Sequence, residues 1–255
     1  MSASPKGSEA IVLAEVPSFR DAIVKRSLKN VIADRIAGLI ASGLVQVGDT
    51  LPSERQLASS LNVSRETTRG AILLLASRGI LEISHGARTR VVRSDVGEIT
   101  IGFGQARAIN AYEIDSVHDA RLLIERRVVA DAARRIDDAA LAALDGFLAV
   151  QKEAFDDPVG FLICDREFHA TIYRASGNAL LADFATDLYT YMMEYRRTAV
   201  ARPGAIATSY ADHAAIVAAL RDHDPDAAVA AFAVHTDRIY QTTQSALKDG
   251  RQDRS

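Results

Sequence analysis

The chain has 255 residues, of which 48% are hydrophobic, and a formal net charge of -3, a composition typical of a globular protein. It has no apolar run long enough to span a bilayer, which predicts a cytoplasmic location, and its single cysteine, Cys164, excludes an intramolecular disulfide. The charge indicates a DNA-binding domain joined to an acidic body, because residues 20–93 carry 12 Lys and Arg against 6 Asp and Glu, whereas residues 94–255 carry 17 against 25.

The first predicted elements are two helices that follow a flexible arm at residues 1–19. Apolar residues recur at three- and four-residue steps over residues 28–40, which is the spacing of one helix face, and Gly43 ends this first helix. Ser53 is followed three residues later by Gln56, a pair that fits a capping box and predicts the start of a second, short helix.

A third helix is predicted after Ser64, and its first turn is the candidate reader of DNA bases. Arg65 and Arg69 lie four residues apart and therefore share one open face of this helix. Each guanidinium can donate two hydrogen bonds to O6 and N7 of a guanine in the major groove. Arg55, at the start of the second helix, is placed to contact the DNA backbone or an adjacent base. The alternative is that these arginines form only a solvated surface.

The region after Gly79 changes to a period of two, which predicts a β-hairpin. Its strands cover residues 80–85 and 88–93, and the turn between them contains His85 and Gly86. Three helices followed by a hairpin predict a winged helix-turn-helix, whose wing tip would lie over the minor groove of DNA.

The rest of the chain is predicted to be helical after a linker at residues 94–115, which contains a short helix at about 99–109. Alanine is frequent on these helices, so we expect them to pack closely into an antiparallel bundle. Breaks with turn or N-cap chemistry separate the predicted helices Val117–Arg135, Ala139–Phe155, Val159–Ala175, Ala179–Ala199, Tyr210–Arg221 and Ala227–Leu247.

Four side chains of this helical region are candidate metal ligands. Asp165 and His169 are four residues apart on one predicted helix and share a face, whereas His213 and His235 lie on two later helices. Three imidazoles and one carboxylate suit Zn, Ni, Mn or Fe and leave coordination positions open. Spacing alone does not bring the four together, and scattered histidines on a helical bundle are the alternative.

Residues 27–93 resemble the winged-helix domain of the GntR family of bacterial transcription regulators, in its FadR-like subfamily, along the motif GDTLPSERQLASSLNVSRETTRGAILLLASRGILEISHG. Gly70 departs from this resemblance, because the family usually carries a polar residue there, and a glycine predicts a looser recognition helix or a closer neighbour. The resemblance implies DNA contacts at Arg55, Ser64, Arg65, Thr67, Arg69, His85 and Gly86.

The helical region resembles the FCD ligand-binding domain found behind such heads, in which an aspartate and three histidines hold a metal. This resemblance implies that Asp165, His169, His213 and His235 bind a divalent metal ion, in the first place Zn. It also implies that Arg121 faces a cavity and binds a small carboxylate effector, with an Arg121–Glu125 surface pair as the alternative. Composition alone adds Tyr191, Arg196 and Arg197 as residues that could line the same cavity. The end of the chain is similar to sialic-acid-responsive members, which points to a sugar acid.

Together these observations predict a mainly α protein with a winged helix-turn-helix at residues 20–93, a linker at 94–115, a helical effector- and metal-binding domain at 116–248 and a flexible tail at 249–255. The predicted function is a repressor that binds double-stranded operator DNA as a homodimer, makes no membrane contact and responds to a small organic or sugar acid at the metal site. A metal-responsive regulator without an organic effector is one alternative. A metalloenzyme is the other, although Glu167, the nearest acid, lies about 200° around the helix from Asp165.

Overall fold

The computed structural model describes residues 27–83, 88–96 and 111–252, which form ten helices and two short strands. Three helices and both strands form an N-terminal head, and seven helices form a body. The mainly α fold with a winged head and a helical body is therefore confirmed. The elements are α1 Leu28–Ala41, α2 Glu54–Ser60, α3 Arg65–Ser77, β1 Leu81–Glu82, β2 Arg90–Val91, α4 Ile114–Arg135, α5 Asp138–Glu153, α6 Pro158–Ala175, α7 Ala179–Tyr189, α8 Met193–Val200, α9 Ala205–Arg221 and α10 Pro225–Gln252.

Polar caps set the starts of the helices in the head. The Ser53 hydroxyl oxygen accepts a hydrogen bond from the Gln56 amide at 3.3 Å, and the Gln56 side chain accepts one from the Ser53 amide at 3.0 Å, which confirms the predicted capping box. Ser64 caps α3 by accepting from the Thr67 amide at 3.1 Å. Gly79 follows α3 in the left-handed conformation, with φ of 69°, and turns the chain toward the hairpin.

The hairpin of the head is short. Strands β1 and β2 pair antiparallel, and Thr50 bridges to Arg90, so the turn before α2 adds a third chain segment to this small sheet. The ladder stops where the amides of Val92 and Arg93 both donate to the carbonyl oxygen of Ile80, at 3.0 and 3.4 Å. This shared acceptor ends the regular ladder at its Ile80 end, whereas residues 84–87 of the predicted hairpin lie outside the described residues.

The body buries its apolar faces between long neighbouring helices. α4 packs against α10, α6 packs against α5, and α9 packs against α10. Val128, Leu162 and Phe232 come from three different helices and all belong to the core. Ala132 and Ala133 are fully buried, which lets the partner helices approach α4 closely.

Several helix bounds in the body differ from the prediction. α9 begins at Ala205, before the predicted start at Tyr210. The single helix predicted at 179–199 is wrong: two helices, α7 and α8, occupy this region, because Met192 adopts a left-handed backbone with φ of 52°. α10 extends to Gln252, past residue 249, where the tail was predicted to begin.

Some predictions fall outside the described residues. These are the arm at residues 1–19, the wing-tip residues His85 and Gly86, and the linker helix at about 99–109. Within the part of the chain that the structure describes, no helix is long and apolar enough to cross a membrane.

Candidate metal centre and DNA interface

The four predicted metal ligands come together in the interior of the body. α6 supplies Asp165 and His169 from one face, α9 supplies His213, and α10 supplies His235. One ligand atom from each lies within 4.8 Å of the others, and all four side chains are buried. Three helices therefore meet at a single cluster of three imidazoles and one carboxylate.

The distances in the cluster match those around one divalent ion. His235 Nε2 lies 3.2 Å from both His169 Nε2 and His213 Nε2. Asp165 Oδ1 lies 3.2 Å from His213 Nε2 and 3.4 Å from His169 Nε2. Nitrogen and oxygen ligands about 2.0–2.2 Å from an ion in tetrahedral or octahedral geometry are roughly 3.0–3.5 Å from one another. The four donors can therefore converge on one ion.

The chemistry of these atoms also fits a cation. Asp165 Oδ1 is buried and has no hydrogen-bond donor among the described residues. An unsatisfied buried carboxylate oxygen is costly, and a divalent ion would compensate it. Neutral imidazole nitrogens and a carboxylate form a ligand set that suits Zn and neighbouring transition metals. The residues present therefore fit a divalent metal, although they do not identify it.

An outer layer of hydrogen bonds orients the ligands. Tyr189 donates its hydroxyl proton to Asp165 Oδ2 at 2.5 Å, and Arg196 Nη2 donates to the same oxygen at 3.2 Å. His213 Nδ1 lies 2.8 Å from Gln151 Oε1, so the amide oxygen fixes the imidazole with Nε2 toward the cluster. These contacts leave Asp165 Oδ1 and the His213 Nε2 lone pair directed at the same point.

The ionisation states favour metal binding. Burial lowers the pKa of His213 to about 3 and also lowers the pKa of His169 and His235, so all three imidazoles are neutral near pH 7. Burial alone would raise the pKa of Asp165, but His169, His213 and Arg196 together hold it well below its usual value. The site thus presents neutral imidazoles and an ionised carboxylate, which are the forms that bind metal ions.

A cavity of about 360 Å³ borders the cluster. Its volume is in the range of small-molecule sites. Asp165, His235 and Ser209 form part of its wall. Arg196 and Arg238 also line it, while their guanidinium groups donate to Asp165 and Asp212, respectively. The remaining lining is mostly apolar or hydroxylated: Phe161, Ala199, Val200, Ala205, Thr208, Ile239, Gln241, Thr242 and Thr243. A small anion in this cavity would face both the cluster and a cation.

Arg121 is not among the residues that line this cavity. Its Nε and Nη2 donate to Glu125 Oε1 at 3.0 and 2.9 Å, and both side chains are buried. Tyr173 and Thr236 also donate to Glu125, at 2.7 and 3.0 Å. The Arg121–Glu125 pair considered as the alternative therefore exists, but in the interior and not at the surface. Contact between Arg121 and an effector stays a prediction.

The other cavity residues suggested by composition divide into two groups. Arg196 lines the cavity. Tyr191 instead donates to the carbonyl oxygen of Tyr112 at 2.9 Å, and Arg197 forms an ion pair with Asp49 of the head. Glu167 also faces the head, where it accepts from Arg35 at 2.9 Å, which agrees with its predicted direction away from the ligands.

Sequence reasoning missed the residues that hold the ligands. Gln151 had a usable signal, because it is a polar residue in register with the buried Leu144 and Phe147 on the inner face of α5. Tyr189 and Asp212 had none, since they approach Asp165 and His235 only through the tertiary fold. Contacts between distant helices leave no periodic trace in one sequence.

Most of the predicted DNA-reading residues that the structure describes are exposed on the head, and two of them, Arg55 and Arg65, line a groove that the head shares with α5 of the body. Arg65 and Arg69 are exposed on the first turns of α3, and Ser64 and Thr67 form the N-terminal cap beside them. Arg55 is exposed on α2. This arrangement places several donors at the start of the helix that would enter a major groove.

Two family descriptions match the chain. Residues 28–91 match "Bacterial regulatory proteins, gntR family", and residues 116–238 match "FCD domain". The first match covers the helices and strands of the head, and the second contains all four residues of the metal cluster. The two matches thus follow the division into head and body.

Named repressors resemble the chain over most of its length. It is 30% identical over 228 residues to the HTH-type transcriptional repressor NanR of Citrobacter rodentium, with 86% of each chain covered. It is 29% identical over 230 residues to NanR of Edwardsiella tarda, with 87% of each covered. The solved structure of E. coli McbR/YncC has a similar fold, with a TM-score of 0.51, 21% identity and coverage of 88% of this chain and 99% of that one.

Proposed function

We propose that this chain, which belongs to the GntR family of bacterial transcription regulators, is a repressor controlled by a small organic or sugar acid that binds beside a divalent metal in the body. The family and the named relatives make it a DNA-binding regulator and not an enzyme. The finer proposal concerns the signal, and the buried cluster beside a cavity carries it.

The metal would be held by Asp165, His169, His213 and His235. Bound there, it would supply a Lewis-acidic partner for a carboxylate. Arg196 supports the same class of ligand, because a guanidinium binds a carboxylate with parallel hydrogen bonds. Hydroxyl groups on the wall, such as that of Ser209, suit the hydroxyls of a sugar acid.

The DNA contacts are proposed at the start of α3 and at the wing. Arg65 and Arg69 read bases in the major groove, Arg55, Ser64 and Thr67 position the helix, and His85 and Gly86 approach the minor groove. Two copies of the chain would place two heads on a palindromic operator, since a symmetric dimer matches a symmetric site. Repression as the outcome is supported by the names of the relatives.

A thermal-shift screen of the full chain tests the proposed signal. Organic and sugar acids, including sialic acid, are added with and without Zn²⁺, because a ligand that binds only the folded state raises its stability by about 2.7 kcal/mol at a hundredfold excess over Kd. We expect Zn²⁺ to raise Tm, and one acid to raise it further only when Zn²⁺ is present. His213→Ala should lose both shifts.

His118→Ala is the matched control, because His118 lies outside the cluster and pairs with Asp237. It should keep both shifts. DNA selected from a random pool then reports the output: the active acid should weaken binding measured by fluorescence anisotropy. If Zn²⁺ alone changes DNA affinity and no acid adds to it, the metal-responsive alternative is correct. If Zn²⁺ does not bind, the proposed metal site is wrong.

A further inference from the structure

α8 is a short helix that lies between the cavity and the head. It contains Met193–Val200 and is bounded by two left-handed residues, Met192 with φ of 52° and Gly204 with φ of 78°. Left-handed positions interrupt the helical hydrogen-bond pattern on both sides, so α8 is separated from α7 and α9. It therefore forms a separate short helix between its neighbours.

One face of α8 contacts the metal cluster and the cavity. Arg196 donates to Asp165 Oδ2 at 3.2 Å and to the carbonyl oxygen of Tyr189 at 2.9 Å, and its guanidinium lies 4.3 Å from the centre of the Tyr189 ring. Ala199 and Val200, on the same helix, line the cavity. The position of α8 is thus linked to the carboxylate that would bind the metal.

The opposite face of α8 contacts the head. Arg197 forms a two-pronged ion pair with Asp49, in which Nη2 donates to Oδ1 at 2.9 Å and Nη1 donates to Oδ2. Arg197 Nη1 also donates to the carbonyl oxygen of Leu44 at 3.5 Å. Glu194 packs beside Gly43, where an added methyl carbon would lie 3.9 Å from Glu194 Cβ. All these contacts reach the turn between α1 and α2.

This turn of the head is connected to the DNA-reading elements. The Gly48 amide donates to the Val91 carbonyl oxygen at 2.8 Å, and the Val91 amide donates to the Asp49 carbonyl oxygen at 2.9 Å. The Leu51 amide donates to the Thr89 carbonyl oxygen at 2.8 Å, and α2 begins a few residues later. Asp49 therefore lies where the wing strand β2 and the entry to α2 are joined.

We infer that α8 transmits occupancy of the metal and effector site to the head, through Arg196 on one side and Arg197 on the other. The inference rests on the proposed metal site. Asp165 would hold the metal, and its carboxylate would then be fixed. Asp165 and Tyr189 position Arg196, and Arg197 of the same helix positions the turn at Asp49. An acid that draws Arg196 away from Asp165 would shift α8 and loosen the same turn. Arg197 is thus a positioning residue for DNA binding.

A second contact between the head and the body does not pass through α8. Arg35 of α1 donates to Glu167 of α6 at 2.9 Å, and Glu167 also accepts from Arg166 at 2.7 Å. These side chains do not involve α8. A variant at Arg197 therefore tests transmission through α8 and leaves this second connection between head and body intact.

Hydrogen–deuterium exchange of the full chain, with Zn²⁺ as the only added ligand, tests the inference. In the wild type, Zn²⁺ should slow exchange in the body around residues 165–169 and also at residues 48–51 and 89–91 of the head. We expect the head amides to slow on the order of fivefold, the low end of typical coupling between sites. In Arg197→Gln the effect in the body should persist, and the effect in the head should disappear.

Two further variants make the result specific. Asp49→Asn breaks the same ion pair from the head side while keeping an oxygen for the Gln46 amide, which donates to Asp49 at 2.7 Å, and it should also lose the effect in the head. Arg221→Gln removes an exposed ion pair with Asp145 in the body and should behave like the wild type.

The outcomes separate the inference from the proposed function. Slower exchange in the body of the wild type without any change in the head would overturn transmission through α8 and leave the metal site standing. An effect in the head that persists in both Arg197→Gln and Asp49→Asn would also overturn it. If Zn²⁺ slows exchange nowhere, the metal site and the inference both fail.

Discussion

The buried ion pair of Arg121 and Glu125 is expected to contribute strongly to the stability of the body. Arg121→Met removes the guanidinium and leaves the Glu125 carboxylate buried, with the Tyr173 and Thr236 hydroxyls as its remaining donors among the described residues. Breaking a buried ion pair from one side costs about 3–5 kcal/mol. Since total stability is typically about 5–15 kcal/mol, we expect a large loss, measured as a lower urea midpoint in far-ultraviolet circular dichroism.

The pH dependence of this loss identifies Glu125 as its cause. Burial acts to raise the pKa of Glu125, but Arg121 and then Tyr173 hold it below 4.5, its value outside the fold. In the wild type this stabilisation is present above pH 4.5 and disappears as pH falls through the lower, folded pKa. In Arg121→Met the largest of the groups that lower the pKa of Glu125 is absent, so we expect this pKa to rise relative to the wild type. The variant then gains a proton on acidification, so its deficit against the wild type should shrink.

Two variants complete this test. Arg127→Met removes an exposed i,i+4 pair with Asp131 on the same helix and should leave the urea midpoint near that of the wild type. Glu125→Gln in the Arg121→Met background removes the uncompensated charge and should recover part of the loss. A cost below about 1 kcal/mol, the range of exposed pairs, would refute this reasoning. If the acid-dependent thermal shift disappeared as well, Arg121 would be an effector contact, as the family resemblance implied.

Three further changes test other parts of the molecule. Gly70→Ala should stabilise the head by about 0.5–1 kcal/mol, because alanine favours a helix and the added methyl carbon would lie at an ordinary contact distance of 3.6 Å from its nearest neighbour in α1. Urea denaturation measures this change, and a lower urea midpoint would mean that α3 requires the glycine. Gln151→Met should weaken Zn²⁺ binding about 10- to 100-fold in a chelator competition, because it removes the 2.8 Å contact that orients His213. Unchanged Zn²⁺ affinity would show that Gln151 does not orient this ligand. Arg65→Ala and Arg69→Ala should each weaken binding to a selected DNA site roughly 5- to 150-fold, the equivalent of about 1–3 kcal/mol, with little change in binding to random DNA. An equal loss of affinity for the selected site and for random DNA would mean that these arginines contact the DNA backbone and not the bases.

The head was predictable from local rules, because its signals lie within a few residues of one another. Ser53 and Gln56 are three apart and form the capping box, and Ser64 caps the helix that begins at the next residue. The metal ligands were harder to predict from the sequence. The spacing of Asp165 and His169 places them on one face, but only the family resemblance brought His213 and His235 to that face. Helices that are distant in sequence meet through packing, which one sequence does not record.

Arg196 and Arg197 show where composition fails for a physical reason. Both were predicted to line one cavity, but consecutive residues on a helix point about 100° apart, and here the two side chains reach different surfaces. On a helix packed between two surfaces, that angle allows one residue to contact Asp165 in the body and the next to contact Asp49 in the head. The break at Met192 matters for the same arrangement, because in a continuous helix from residue 179 to residue 199 α8 would be a direct extension of α7. A left-handed methionine has no sequence signal, and it is this break that leaves α8 a separate unit between the metal cluster and the DNA-reading head.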